Sequence, residues 1–212
     1  PDCKKTFAER KRLFNLGRSS WQDYDQSLLS PGGMIISRAE KQVTLTNQAA
    51  VAIGLTASRA TPFEIIIAIL KTRVDLLWFG GIGTDIKDAG ESDAEVGDRA
   101  NDPVRITAQE VGAQVIGEGA NLGVTQRGRI AFGLNGGRCN SDAIDNSAGV
   151  NSSDLEVNIK IALSAAMRAN RLSLPNRNKL LVNMTDEVAT LALRNNDLQT
   201  LAISRVERRS AR

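Results

Sequence analysis

Apolar positions along this chain change period several times, and each change predicts an element. The amphipathic stretch 7–16 predicts a helix. Ser19 with Gln22 three residues later predicts a short capped turn. Pro31-Gly32-Gly33 breaks the chain, Met34-Ile35-Ile36 has the composition of a short strand, and 38–60 is mixed with a weak helix at 47–53. Thr61-Pro62-Phe63-Glu64 is a capping box with Pro at the first helical position, so the apolar run to Leu70 reads as a helix. Residues 74–79 then read as a buried strand, closed by Gly80-Gly81-Ile82-Gly83-Thr84. Residues 85–102 are polar and acidic, the pattern of a loop or short surface helix. Thr107 with Glu110 opens one further helical turn.

Residues 113–117 predict a second strand, ended by Glu118-Gly119-Ala120-Asn121. A helix over 125–134 follows, stopped by Asn135-Gly136-Gly137. Residues 138–144 predict a third strand. Ser153 and Glu156 form a capping pair for a long helix with Leu155, Ile159, Leu163 and Ala166 in one stripe. Pro175 ends that region. Leu180, Leu181, Met184, Val188 and Leu191 mark another amphipathic helix, and a last one carries Leu198, Leu201 and Ala202. This alternation is that of a parallel α/β sheet. With three or four strands and no GxGxxG turn, it reads as the C-terminal half of a doubly wound, Rossmann-like sheet followed by a helical tail. The corresponding domains are a lead-in over 1–60, a partial dinucleotide-binding domain over 61–150 and C-terminal helices over 151–212. Half a sheet leaves a strand edge open, so the isolated chain is expected to associate or to be marginally stable.

Composition narrows the chemistry. The 42% hydrophobic content supports a packed core. No apolar run reaches the ~18 residues of a membrane span. The sequence has no His and only two Cys, which removes His-based nucleophile pairs and a thiolate metal cage. No disulfide framework results, as suits a reducing cytoplasm. Arg194, Arg205, Arg208, Arg209 and Arg212 against Asp197 and Glu207 carry the whole net charge of +3. A neutral body with a basic tail argues against nucleic acid as a partner. The start at Pro1, without a signal peptide, reads as a piece of a longer polypeptide.

In an open parallel sheet, ligands bind beyond the carboxyl ends of the strands. Three such ends are rich in Gly, Asn and Ser: 80–84, 118–123 and 145–153. Glycines such as Gly81 and Gly83 let a ligand approach the backbone. The carboxamides of Asn121 and Asn146 can donate and accept toward another carboxamide. Taken singly, each also reads as structure: Gly clusters make turns, Asn favours left-handed turns, and Ser153 is a helix cap. Their coincidence at strand ends points to a ligand cleft. No catalytic acid–base pair emerges, and the carboxylates around Arg99 read as charge pairing.

Four strings carry a resemblance: LLWFGGIGT at 76–84, VGDRAND at 96–102, VIGEGANLGVTQRGRI at 115–130 and DAIDNSAGVNSSDLEVNIK at 142–160. With the flanks ERKRLF, RSSWQDYD and MTDEVATLALRNN, the chain resembles the large-subunit bacterial NAD-specific glutamate dehydrogenases over nearly its whole length. The resemblance implies reversible oxidative deamination of L-glutamate to 2-oxoglutarate and ammonia, with NAD as cofactor. It implies that Asn121 and Asn146 lie near the nicotinamide, with Gly81 and Gly83 as further cofactor contacts. It also implies that Ser153 faces the side-chain carboxylate of glutamate and that Val150 lines the pocket. The family's Lys and Asp for proton transfer, and its Gly-rich dinucleotide turn, belong upstream and find no match here. The isolated chain is therefore expected to be inactive, within a cytoplasmic and homo-oligomeric parent. The chain departs from the family's pattern at Phe79, Asp85 and Pro103. The alternative is a stand-alone nucleotide-binding or interaction module without catalysis.

Overall fold

A computed structural model describes residues 2–81 and 83–210; Ile82 of the glycine string and Arg212 of the basic tail lie outside the described residues. In chain order the elements are α1 (Cys3–Asn15), β1 (Val43–Thr44), α2 (Asn47–Ala52), β2 (Arg59–Ala60), α3 (Pro62–Lys71), β3 (Leu76–Phe79), β4 (Ile86–Lys87), α4 (Asp93–Val96), β5 (Ile106–Thr107), β6 (Val115–Glu118), α5 (Gln126–Leu134), β7 (Arg138–Cys139), α6 (Asp142–Asp145), α7 (Ser147–Arg168), α8 (Leu174–Asn183) and α9 (Thr185–Ser210). Short 3-10 turns occupy Trp21–Asp23, Gln26–Leu28, Asp102–Val104 and Ala108–Glu110. The chain forms two compact units. One holds 1–77, 84–115 and 124–138; the other holds 78–83, 116–123 and 139–212.

The first unit is built from local signals. Thr61 and Glu64 make both bonds of the predicted capping box, and Pro62 opens α3. Val43, Leu45, Ala50, Ala60 and Ile65 form a buried cluster, with Met34, Ile36, Ile53 and Leu55 packed against it. Met34–Ile36 thus supplies apolar side chains without forming a strand, whereas β1 and β2 pair antiparallel. The stretch 85–102 holds the expected short surface helix as α4 and also an unexpected strand: β4 runs parallel to β5, with Ile86 opposite Ile106. Both residues are buried, and two-residue strands are too short for a periodicity to betray them.

Arg105 organises this region. Its side chain is fully enclosed and bonds to Asp93 and Asp102. It also donates to the carbonyls of Thr84 and Asp98. Lys87 and then Arg105 hold the Asp93 carboxyl below its ordinary range. Asn101 and the Thr84 N–H do the same for Asp98. Asp85 shifts upward, through burial first and then the nearby Asp98, against attraction from Arg105 and Arg38. Its carboxyl therefore belongs to this charge cluster. Pro103 opens the 102–104 turn, where a missing N–H costs little.

Two carboxylates couple this unit to pH. Arg12 and the Asp25 N–H lower Glu9 from 4.5 to about 2. Lys71 and the Thr107 N–H lower Glu110 from 4.5 to about 2. A depressed folded value gives stability that is complete above 4.5 and lost as pH falls toward 2. The urea midpoint of the chain is expected to drop across that window, and Glu9→Gln to flatten the drop. A midpoint independent of pH from 5 to about 2.5 rules this out.

A three-stranded parallel sheet of order β3-β6-β7 follows, with a helical C-terminal part. The first residues of each strand belong to the first unit and the last to the second. β3 is less buried than its apolar run suggests: Leu76 and Trp78 share one face and are exposed, while Phe79 is buried. β7 is two residues long, because residues 142–144 of the expected third strand belong to α6 instead. In the tail, Pro175 opens α8 rather than ending a region. The two expected last helices are continuous as α9 beyond a break at Met184. Among the described residues no helix is long and apolar enough to cross a membrane.

Candidate functional site

β3 and β6 are parallel neighbours, so loops 80–84 and 119–123 leave the same end of the sheet. Gly81 is exposed in the first loop. Gly83 is buried there with φ 136°, a conformation that only glycine adopts readily. β6 delivers the fully buried Glu118. At Gly119 the Trp78 indole packs on bare backbone: a Cβ there would lie 2.4 Å from its Cζ2. Ala120 continues the ladder by donating its N–H to Phe79 O at 3.0 Å. Asn121 then projects into the open, and Leu122 turns the chain in the left-handed region at φ 63°. The ring of Phe79 backs Gly123, which accounts for an apolar residue at that position.

The second loop is met by α6. Asp142 and Asp145 are one helical turn apart and share a face. Asp145 accepts the Glu118 N–H at 3.0 Å and the Asn140 Nδ2 at 3.0 Å. Asp142 accepts the Leu122 N–H at 3.1 Å. Asn146 caps the end of α6 and donates from Nδ2 to Asn121 Oδ1 at 2.8 Å. The two asparagines chosen from sequence are thus in direct contact. Beyond that bond neither carboxamide has a further partner among the described residues, so Asn121 Nδ2 remains a donor and Asn146 Oδ1 an acceptor. That pairing complements a primary carboxamide. Gly149 makes room for it, since a Cβ there would lie 2.6 Å from Asn146 Oδ1.

Ser153 is not the cap of the long helix. α7 begins at Ser147, and Ser153 sits in its second turn. The Asn-, Ser- and Gly-rich stretch 146–152 reads as a loop in isolation, yet it is helical from Ser147 on. Ser147 is buried and hydrogen-bonds through Oγ to Asn196 Oδ1 of α9, a long-range anchor that local propensity does not contain. The correction aligns the candidates. Asn146, Val150 and Ser153 lie at i, i+4 and i+7 along one helical stripe. Val150 and Ser153 are exposed, and the Ser153 hydroxyl makes no hydrogen bond among the described residues. Asp142, Asp145 and Gly149 escaped the sequence reading because carboxylates one turn apart look like any solvated helix end. No group of His, Cys, Asp or Glu suited to a metal ion occurs among the described residues.

Comparison with known proteins bears on this arrangement. The family described as bacterial NAD-glutamate dehydrogenase, catalytic domain, matches residues 1–206. The chain is 50% identical over 210 residues to the NAD-specific glutamate dehydrogenase of Pseudomonas aeruginosa, covering 99% of this chain. It is 53% identical over 205 residues to the enzyme of that name from Mycobacterium tuberculosis, covering 94%. It spans 13% of the length of each relative. On the extent of that match and that identity, the chain belongs to the catalytic-domain family of the bacterial NAD-glutamate dehydrogenases.

Proposed function

We propose that this chain is part of an NAD-dependent glutamate dehydrogenase and forms one wall of its nicotinamide and substrate cleft. The enzyme interconverts L-glutamate with 2-oxoglutarate and ammonia. The observation that carries the reading is the 2.8 Å contact between the Asn121 and Asn146 carboxamides at the carboxyl end of β6. Its outward donor and acceptor fit the carboxamide of a nicotinamide ring, and Gly149 leaves the space the Asn146 side chain needs. NAD, when bound, supplies the hydride acceptor.

The chain's own residues bind and orient. Asn121 donates and Asn146 accepts, which fixes the rotation of the ring. Gly81 and Gly83 keep loop 80–84 close to the cofactor. One turn along α7 from Asn146, Val150 excludes water beside the reacting carbon. Ser153, with its hydroxyl uncommitted, donates to the distal carboxylate of glutamate. The three-stranded sheet serves as the C-terminal half of a Rossmann-like dinucleotide domain over 61–150, after a lead-in over 1–60 and before the helices of 151–212. Proton transfer at the substrate amine falls to groups outside this chain. The parent is a cytoplasmic homo-oligomer.

The test is NADH formation from L-glutamate and NAD⁺. The intact enzyme carrying this segment is expected to turn over and the pure 212-residue chain to give none. Robust NADH production by the pure chain overturns its role as one wall. Cofactor binding without glutamate oxidation in the intact protein identifies a nucleotide-binding module instead.

A further inference from the structure

Three hydrogen bonds join one short segment to one short loop. Asp145 takes the Glu118 N–H at 3.0 Å, Asp142 takes the Leu122 N–H at 3.1 Å, and Asn146 reaches Asn121 at 2.8 Å. The first two bonds sit at the two ends of segment 118–122, and the third lies between them. Because α6 is a single helical turn, both carboxylates project from one face, and Asn146 follows as its C-terminal cap. The loop needs holding: Leu122 is a β-carbon-bearing residue in the left-handed region, which costs of order 1 kcal/mol and persists only when the surroundings over-determine it. Asn140 holds the second oxygen of Asp145, which fixes the rotamer that reaches Glu118.

We infer that Asp142 and Asp145 are positioning residues that clamp loop 118–122, and that their bonds to the Glu118 and Leu122 amides set the Asn121 carboxamide for the nicotinamide. The inference rests on the cofactor reading above. The carboxylates themselves touch neither cofactor nor substrate. They act through the backbone on either side of Asn121, and charge-assisted bonds of this type are stronger than neutral ones.

The test uses the intact enzyme, with two readouts independent of turnover. Amide hydrogen exchange of the peptide spanning 118–122 reports the clamp, and NADH fluorescence titration reports cofactor affinity. Asp142→Ala is expected to speed exchange of that peptide and weaken NADH by about 10-fold, with the melting temperature of the whole enzyme little changed. Asp142→Asn retains an acceptor oxygen and should recover both to within about 3-fold of wild type. Asp145→Ala is expected to act likewise through the Glu118 amide. If either alanine variant fails to fold, Asp142→Asn and Asp145→Asn decide by comparison with Asp142→Leu and Asp145→Leu, which place no acceptor at the amide. Faster exchange with unchanged NADH affinity overturns the inference, as does weaker NADH binding with unchanged exchange. Asn121→Ala separates the two readings. If it leaves NADH affinity intact, the cofactor assignment itself fails. If it weakens NADH while the Asp142 and Asp145 variants do not, only the clamp fails.

Discussion

Asn121→Ala is expected to lower kcat/KM of the intact enzyme for NAD⁺ and L-glutamate by roughly 10–100-fold. The substitution deletes an outward donor and leaves the Asn146 Nδ2 without its acceptor at 2.8 Å. Two bonds are therefore at stake, and a net contribution of about 0.5–1.5 kcal/mol from each accounts for a loss of that size. Asn121→Asp refines the result. A carboxylate there still accepts from Asn146 but no longer donates outward. If the outward donor matters, Asn121→Asp resembles Asn121→Ala; if only the inner bond matters, it resembles wild type. Gly149→Ala should give a milder loss in the same direction, because the added methyl displaces Asn146 Oδ1 rather than removing it. Wild-type kinetics in Asn121→Ala and Asn121→Asp together remove the carboxamide pair from the mechanism.

Arg105→Ala is expected to destabilise the 212-residue chain by about 3–5 kcal/mol, as measured by urea unfolding. The guanidinium is enclosed and spends its donors on four acceptors: Asp93, Asp102 and the carbonyls of Thr84 and Asp98. Truncation removes a charged donor from each of the two carbonyls and leaves Asp93 with Lys87 alone. Domains of this size are stable by only about 5–15 kcal/mol, so the loss is a large share of the total. Arg105→Lys should recover less than half, since one ammonium cannot span a fork of four acceptors. A change below about 1 kcal/mol in Arg105→Ala would mean that water replaces these bonds at no cost.

Local chemistry was legible in the sequence wherever its cause is local. The capping boxes at Thr61 and Thr107, the glycine stop after α5 and the strands around Leu77 and Ile116 all follow from neighbours within a few residues. The sequence marks Asn121 at a strand end and Asn146 after an expected strand that is α6 instead, and it does not show them as partners, because 25 residues separate them. What stayed hidden is non-local. Ser147 holds the first turn of α7 through Asn196, 49 residues away, so the helix start moved six residues ahead of Ser153. β4 and β5 exist because Ile86 and Ile106 are buried opposite each other, a pairing that two-residue strands do not announce. The run 142–145 is β-compatible by composition, but its two carboxylates find backbone amides only as a helical turn.

The span between the two asparagines contains α5, β7 and α6, and β7 lies beside β6 in the sheet. Closing a loop of 25 residues costs roughly 3 kcal/mol in chain entropy. Strand pairing already incurs that cost, so the carboxamides meet as a by-product of sheet assembly. The exposed turn after α5, at Asn135 and Gly136, is also where the chain can change length most freely. Doubling that span adds only about 0.6 kcal/mol of closure entropy. Evolution can thus lengthen or trim the excursion while the two amides keep their appointment.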